Sequence, residues 1–363
     1  MKKLFFAHSW TDVSLNIQTK KAAIKLSEHN KVVFFTQSRI GVKKEQFNDN
    51  LLVLEWPHKR PSKIQDVLFF IWEIIKHRPD TIIVHFGATN MAMMICKWLG
   101  VKNRVCWMHT LAGQIYLDVK NDEKASQIIQ KRITAYKRAT HIVVQNKAGW
   151  KDAVDSYKID QQKLKLIYNG IEDPLPNDYN KSELIEFGYI GRLDYSKGVD
   201  VLLRVIAKLK TSYPNIKLKI AGKGAEDKTL RQLAKDLGIV EQVNFIGWLT
   251  NYADVKEFIK DAYALVVPSR LDNFPTVVLE ALACKTVVIA SNVGGIPDMV
   301  VNEQGGYLFE NENEEELQTV MSKLIENKDL WKQQSILARE RFLQNFSMEK
   351  HVREVEHYIT SLN

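Results

Sequence analysis

Two cations, two carboxylates and one histidine stand where they could do chemistry. In EFGYIGRLDYSKGVDVLLRVIAKLK, residues 186–210, Arg192 and Lys197 follow an apolar run that ends at Gly191. A strand-to-helix turn containing glycine presents unpaired backbone N–H groups, and with two cations beside it the turn suits an anion. Arginine can grip two phosphate oxygens at once, and lysine acts as a point charge. On these residues alone, a helix capped by Ser196 with two surface bases is an equal reading. In VVPSRLDNFPTVVLEALACKTVVIASNVGGIPDMV, residues 266–300, Asp272 and Glu280 enclose seven residues. Asp272 precedes a helix expected to begin around Pro275, and it could simply cap that helix. Glu280 lies within the apolar stretch TVVLEALA. A carboxylate there is costly unless something binds it, and ribose hydroxyls could do so. His109 ends the apolar run of CWMHTLAGQ, at the edge where open α/β sheets gather reactive groups. Taken alone it reads first as a hydrogen-bonded structural histidine. His85, in IIVHFG, is a weaker candidate of the same kind.

These residues need a scaffold, and the patterning supplies one. Apolar runs of strand length fall at Lys3–Ala7, Lys31–Thr36, Leu51–Leu54, Thr81–Phe86, Arg104–Met108, His141–Gln145 and Leu164–Ile167. Helical stretches such as Asn16–Glu28, Ile64–His77 and Lys124–Ala139 separate them. The alternation restarts at Leu184–Gly191 and continues through Ile216–Ala221, Val243–Ile246, Ala264–Pro268 and Val287–Ala290. Strands alternating with helices predict parallel sheets covered on both faces. The break falls in NGIEDPLPNDYNKSEL, residues 169–184, which reads as a linker. The predicted fold is therefore α/β, with two Rossmann-like doubly wound domains facing a central cleft. Residues 1–168 form the first domain, 169–183 the linker and 184–345 the second domain. A helix in 346–363 is expected to pack back on the first domain. In KIAGKGAEDKTL, Gly222 and Gly224 end a strand and let a ligand or another backbone come close.

Composition narrows the class. No apolar run approaches the ~18 residues of a membrane span. The three cysteines, Cys96, Cys106 and Cys284, are unevenly spaced in apolar surroundings and read as buried thiols. These features favour the cytoplasm. The net charge of +8 is divided unevenly. Residues 1–170 hold 28 Lys and Arg against 14 Asp and Glu, and the remainder holds 23 against 29. A basic first half fits an anionic membrane surface, at the inner face, or a phosphate-bearing acceptor. Nucleic acid is excluded as a partner, because no interleaved aromatic–basic motif appears. The helix DVLFFIWEIIKHR, residues 66–78, is apolar over most of its surface and is expected to be buried against a sheet rather than to lie on a membrane.

Taken in order, Gly191-Arg192 with Lys197-Gly198, the Gly222/Gly224 turn, the spaced acidic pair and Gly294-Gly295-x-Pro297 resemble glycosyltransferase family 4. These are retaining, nucleotide-sugar-dependent enzymes of GT-B fold. The resemblance covers residues 184–310 strongly and 81–171 more faintly. It implies that Arg192 and Lys197 hold the donor diphosphate of a UDP or GDP sugar, and that Glu280 binds the ribose. It places Asp272 against the transferred sugar, with Asn273, Phe274, Pro275 and Thr276 nearby. It puts Gly222, Gly224, Ile246 and Trp248 around the base, His109 beside the sugar, and Gly170 in a turn near the cleft. The implied reaction moves a hexosyl unit to a glycan, lipid-linked or surface-polysaccharide acceptor, with no cofactor and no essential metal.

Two departures stand out. The family's Gly-Gly turn after the first strand is replaced by HSWTDVSLNIQ, residues 8–18, where Ser9, Thr11 or Ser14 could supply hydroxyls. Asp272 stands where the family more often has glutamate. Rival readings are a GT-B epimerase or phosphorylase, a non-catalytic nucleotide-sugar-binding subunit, and a dinucleotide-dependent dehydrogenase. The last lacks its GxGxxG after the first strand.

Overall fold

A computed structural model describes residues 1–11, 14–37, 44–58, 63–85, 89–119, 121–175 and 184–362. The chain forms two compact units, Met1–Gly170 with Met348–Asn363, and Ile171–Ser347.

The first unit runs β1 (Lys3–Ala7), α1 (Ser14–Ser27), β2 (Lys31–Thr36), β3 (Lys44–Asn48), β4 (Leu51–Glu55), α2 (Ile64–His77), β5 (Thr81–His85), α3 (Thr89–Trp98), β6 (Asn103–Met108), α4 (Ala112–Val119), α5 (Asp122–Arg138), β7 (His141–Val144), α6 (Lys147–Asp155) and β8 (Leu164–Leu166). Its sheet has the order β3-β4-β2-β1-β5-β6-β7-β8. The direction of winding reverses between β1 and β5, and such a switch point leaves a crevice at the strands' carboxyl ends. Runs such as TIIVH are buried at every position because helices cover both faces.

The sheet is not wholly parallel as the sequence suggests. β3 (KEQFN), absent from the predicted strands, pairs antiparallel with β4. Asp49 and Asn50 alone join the two, and so short a connection can only fold the chain back on itself. β3 is mostly exposed at the sheet edge, so no apolar run marks it.

The second unit runs β9 (Glu186–Ile190), α7 (Val199–Ser212), β10 (Lys217–Ala221), α8 (Asp227–Asp236), β11 (Val243–Gly247), α9 (Tyr252–Asp261), β12 (Ala264–Val267), α10 (Thr276–Ala283), β13 (Val287–Ser291), α11 (Ile296–Met299), β14 (Gly306–Phe309), α12 (Glu314–Glu326) and α13 (Lys328–Asn345). The order β11-β10-β9-β12-β13-β14 is a parallel doubly wound sheet whose switch point lies between β9 and β12. Residues 171–175 of the expected linker are tied into this unit. Ile171 bridges Ser347, and Arg339 clasps Asp173 through N–O contacts of 2.7 and 2.5 Å. Residues 176–183 of the linker lie outside the described residues.

The last helix, α14 (Met348–Ser361), belongs to the first unit. It packs on α1, where Val355, Ile359 and Leu362 join Ala22, Ala23 and Leu26 in one apolar cluster. Cys96, Cys106 and Cys284 are buried, as their surroundings predict.

Candidate active site

The loops that leave β9 and β12 flank the switch point of the second unit. The first begins at Gly191 and is closed locally by the Tyr189 hydroxyl, which donates to the Arg192 carbonyl at 2.7 Å. It is then laid on the loop after β10. Leu193 N–H donates to Lys223 O at 3.0 Å, and Glu226 N–H donates to Leu193 O at 2.8 Å. Gly222 and Gly224 make this crossing possible. A Cβ on Gly222 would lie 2.1 Å from the Gly191 oxygen, and one on Gly224 would lie 2.2 Å from the Leu193 oxygen. Of the two partners open from the sequence, the structure shows another backbone at both glycines.

The helix after this loop starts later than expected. A single 3-10 turn, Tyr195–Lys197, is followed by Gly198 at φ 62°, and α7 opens only at Val199. Ser196 is thus no helix cap. It is buried, and its hydroxyl has no hydrogen-bond partner among the described residues.

Lys197 and Asp272 meet here as an ion pair, each side chain 16% exposed. Asp272 does not cap α10, whose N-cap position is Pro275 with no side-chain cap bond. Arg192 is more open and pairs with Asp194 at 2.8 Å. A residue that sequence reasoning missed fixes the two loops together. Arg270 makes a two-pronged contact with Asp200 (2.9 and 2.9 Å), bonds Glu312 at 2.7 Å and Tyr195 O at 2.6 Å, and lies 4.0 Å from the Tyr195 ring centre. Burial works against its charge, but Asp200 and Glu312 outweigh burial and hold it protonated. Arg270 is therefore a positioning residue for Lys197 and Asp272. Its partners lie 42 to 75 positions away, so no local motif reveals it.

The start of α10 forms the third side of this corner. The first amides of any helix lack partners within it, and no side chain caps these. Of the residues expected nearby, Phe274 is buried against Phe346, with ring centres 6.2 Å apart, whereas Asn273, Pro275 and Thr276 are half-buried.

One turn further on, Glu280 is half-buried, and burial pushes its carboxyl up to about 7. No cation and no hydrogen-bond donor pairs with it among the described residues. The unfolded chain releases this proton near 4.5 and the folded chain near 7, so folded stability falls as pH rises across that window. Glu280→Gln should therefore be more stable than wild type at pH 8, by roughly 1–3 kcal/mol, and equal to it near pH 4.5. Urea titrations at the two pH values measure this, and equal differences at both would contradict it. Ile246 and Trp248, expected around a base, are 38% and 50% exposed at the end of β11. Gly222 N–H donates to Gly247 O at 2.8 Å and brings that strand end alongside.

The first unit carries its own cluster at its switch point. His109 Nδ1 accepts from the Gln145 side-chain amide at 2.7 Å, and its Nε2 lies 3.0 Å from His85 Nδ1. Since the amide nitrogen can only donate, the His109 proton sits on Nε2 and is given to His85. His8, the residue after β1, sets its ring centre 4.5 Å from that of His85 at a tilt of 38°. Burial first, and then the neighbouring rings, holds His85 and His109 well below the usual histidine range, while burial takes His8 down to about 4. The cluster is thus neutral at pH 7. Sequence reasoning found His109 and His85 and missed His8 and Gln145, which join them only through the sheet order. His109 also lines a cavity of about 360 Å³ with Thr110, Trp107, Lys131, Arg132 and Tyr136. In the stretch that replaces the Gly-Gly turn, Thr11 accepts from the Asn16 amide at 2.8 Å, and residues 12 and 13 lie outside the described residues.

Known proteins resemble the chain in sequence and in fold. Residues 22–173 match the model of Glycosyltransferase Family 4, and residues 174–341 match that of Glycosyl transferases group 1. An uncharacterized glycosyltransferase of Methanocaldococcus jannaschii is 31% identical over 239 residues, which is 62% of this chain and 59% of that one. The chain spans about half the length of the curated relatives it matches, 46 to 59% for the first three. Among solved structures, a sucrose-phosphate synthase from Thermosynechococcus elongatus superimposes with a TM-score of 0.79 at 18% identity, covering 100% of this chain and 99% of the other. Anabaena HepE in complex with UDP gives 0.76 at 18% identity, covering 100% of both. The architecture is GT-B. With the two family models tiling residues 22–341, the chain belongs to the family 4, group 1 glycosyltransferases.

Proposed function

We propose that this protein transfers a hexosyl unit, with retention, from a nucleoside diphosphate sugar to a glycan, lipid-linked or surface-polysaccharide acceptor. The observation that carries this reading is the corner at the second switch point. There the paired Lys197 and Asp272 come from the loops after β9 and β12, and the uncapped start of α10 and the unpartnered Glu280 from the helix that follows. The likeness to HepE, solved with UDP, favours a uridine nucleotide.

In the proposed reaction the C1–O bond to the diphosphate breaks and a bond forms from the acceptor oxygen to C1 on the same face. The acceptor proton passes to the leaving phosphate. Arg192, Lys197 and the α10 amides neutralise the growing charge, so no metal is needed. Glu280 accepts from the ribose, and Asp272 turns to the sugar once the diphosphate takes Lys197. In the first unit, the cavity beside His109 suits an acceptor with an anionic group, since Lys131 and Arg132 line it. With both ring nitrogens of His109 engaged, its side chain shapes that cavity rather than exchanging protons there.

A thermal-shift panel of UDP, GDP and their sugars tests the reading. The correct nucleotide at 100 times its Kd should stabilise the protein by about 2.7 kcal/mol. EDTA should leave that shift, and turnover, within about twofold of the untreated values. If no nucleotide moves the midpoint, the donor site is wrongly assigned. A product of inverted anomeric configuration would overturn retention alone.

A further inference from the structure

Helix α2 is apolar on two sides, and its sheet uses only one. Phe70 and Ile74 are buried in the core of the first unit. Ile64, Leu68, Trp72 and Ile75 are 70, 59, 63 and 55% exposed. Steps of four, four and three residues keep them within an arc of about 80° on the helix surface. The neighbouring α3 adds Met94 and Trp98, 47 and 75% exposed. The expectation that packing on the sheet accounts for this helix therefore holds for one face only.

The charges on this face are of one sign. Both carboxylates of α2 are turned inward. Asp66 accepts from the backbone N–H groups of Lys63 (2.9 Å) and His58 (3.1 Å), and Glu73 lies 3.1 Å from His77. Helix α3 has no carboxylate at all. Lys63, Lys76, Arg78 and Lys97 are exposed around the apolar stripe. We propose that the α2–α3 face docks on an anionic lipid surface, with Trp72 and Trp98 at headgroup level and the four cations on lipid phosphates. Indole rings favour that boundary, and long basic side chains reach from apolar contact to the charged layer. A second copy of the chain fits worse, because two such faces would set four cations against four. Among the described residues no helix is long and apolar enough to cross a membrane, so the contact is interfacial. This docking does not depend on the sugar-transfer reading.

The test is sedimentation of the full chain with phosphatidylglycerol-containing vesicles and with pure phosphatidylcholine vesicles. Binding to the first should exceed binding to the second and fall as salt rises. Leu68→Ser with Trp72→Ser should weaken binding at least tenfold, and Lys76→Gln and Lys97→Gln about fivefold each. The thermal midpoint should not move, because all four side chains are exposed. No vesicle binding, or binding indifferent to the Leu68/Trp72 change, overturns the proposal. So does a native-chain dimer that those two substitutions dissociate, which would assign the face to a second copy.

Discussion

Lys197→Ala should lower kcat for sugar transfer by roughly 100- to 1,000-fold, with a much smaller change in KM. The charge on the leaving diphosphate grows as the C1–O bond breaks, so a cation fixed beside it acts mainly on the transition state. Lys197 is held for that role before any donor arrives, because Asp272 pairs with it and Arg270 fastens the two loops that carry them. Removing the lysine also leaves Asp272 without this partner. Lys197→Arg, which keeps a cation beside Asp272, should retain far more turnover than Lys197→Ala, and equal losses in the two would count against the charge argument. Turnover of Lys197→Ala within about threefold of wild type would show that Lys197 has no catalytic part.

The second large effect comes from a residue with no functional group. Gly294 has φ 54°, and a Cβ there would lie 1.8 Å from the Asp272 carbonyl oxygen. That oxygen also accepts from the Gly295 N–H at 3.0 Å, so the loop after β13 supports the loop that carries Asp272. Gly294→Ala must adopt a left-handed backbone and push Asp272 aside. The expected destabilisation is roughly 2–4 kcal/mol. A calorimetric scan should show the midpoint of the second unit fall by roughly 5–15 °C. Turnover should drop with it, because Asp272 positions Lys197. Unchanged stability would mean that the crossing relaxes and does not constrain the site.

Much of this was legible in the sequence where one segment decides the outcome. The runs KVVFFT and ALVV read as buried strands because both faces of their sheets are covered, and helix Ile64–His77 was bounded correctly by its apolar pattern. The glycine turns read correctly as close approaches, although only the structure shows that backbone fills them. What could not be read depends on distant pairing. β3 gains its place from a two-residue return and an edge position, not from hydrophobicity. His8, Gln145 and Arg270 acquire partners through sheet order. Ser196 reads as a cap until Gly198 delays the helix. The outer stripe of α2 could not be told from its core stripe, because both are apolar.

The division of the chain has a consequence for biosynthesis. The first unit is discontinuous, for its apolar cluster under α1 needs Val355, Ile359 and Leu362 from the end of the chain. The second unit is continuous, and its own first residue is bridged to its last through Ile171 and Ser347. A growing chain thus begins the first unit, finishes the second, and only then supplies the helix that covers the exposed face of the first. During that interval the apolar cluster that α1 shares with α14 lacks Val355, Ile359 and Leu362, and incompletely covered apolar surface of this kind favours aggregation.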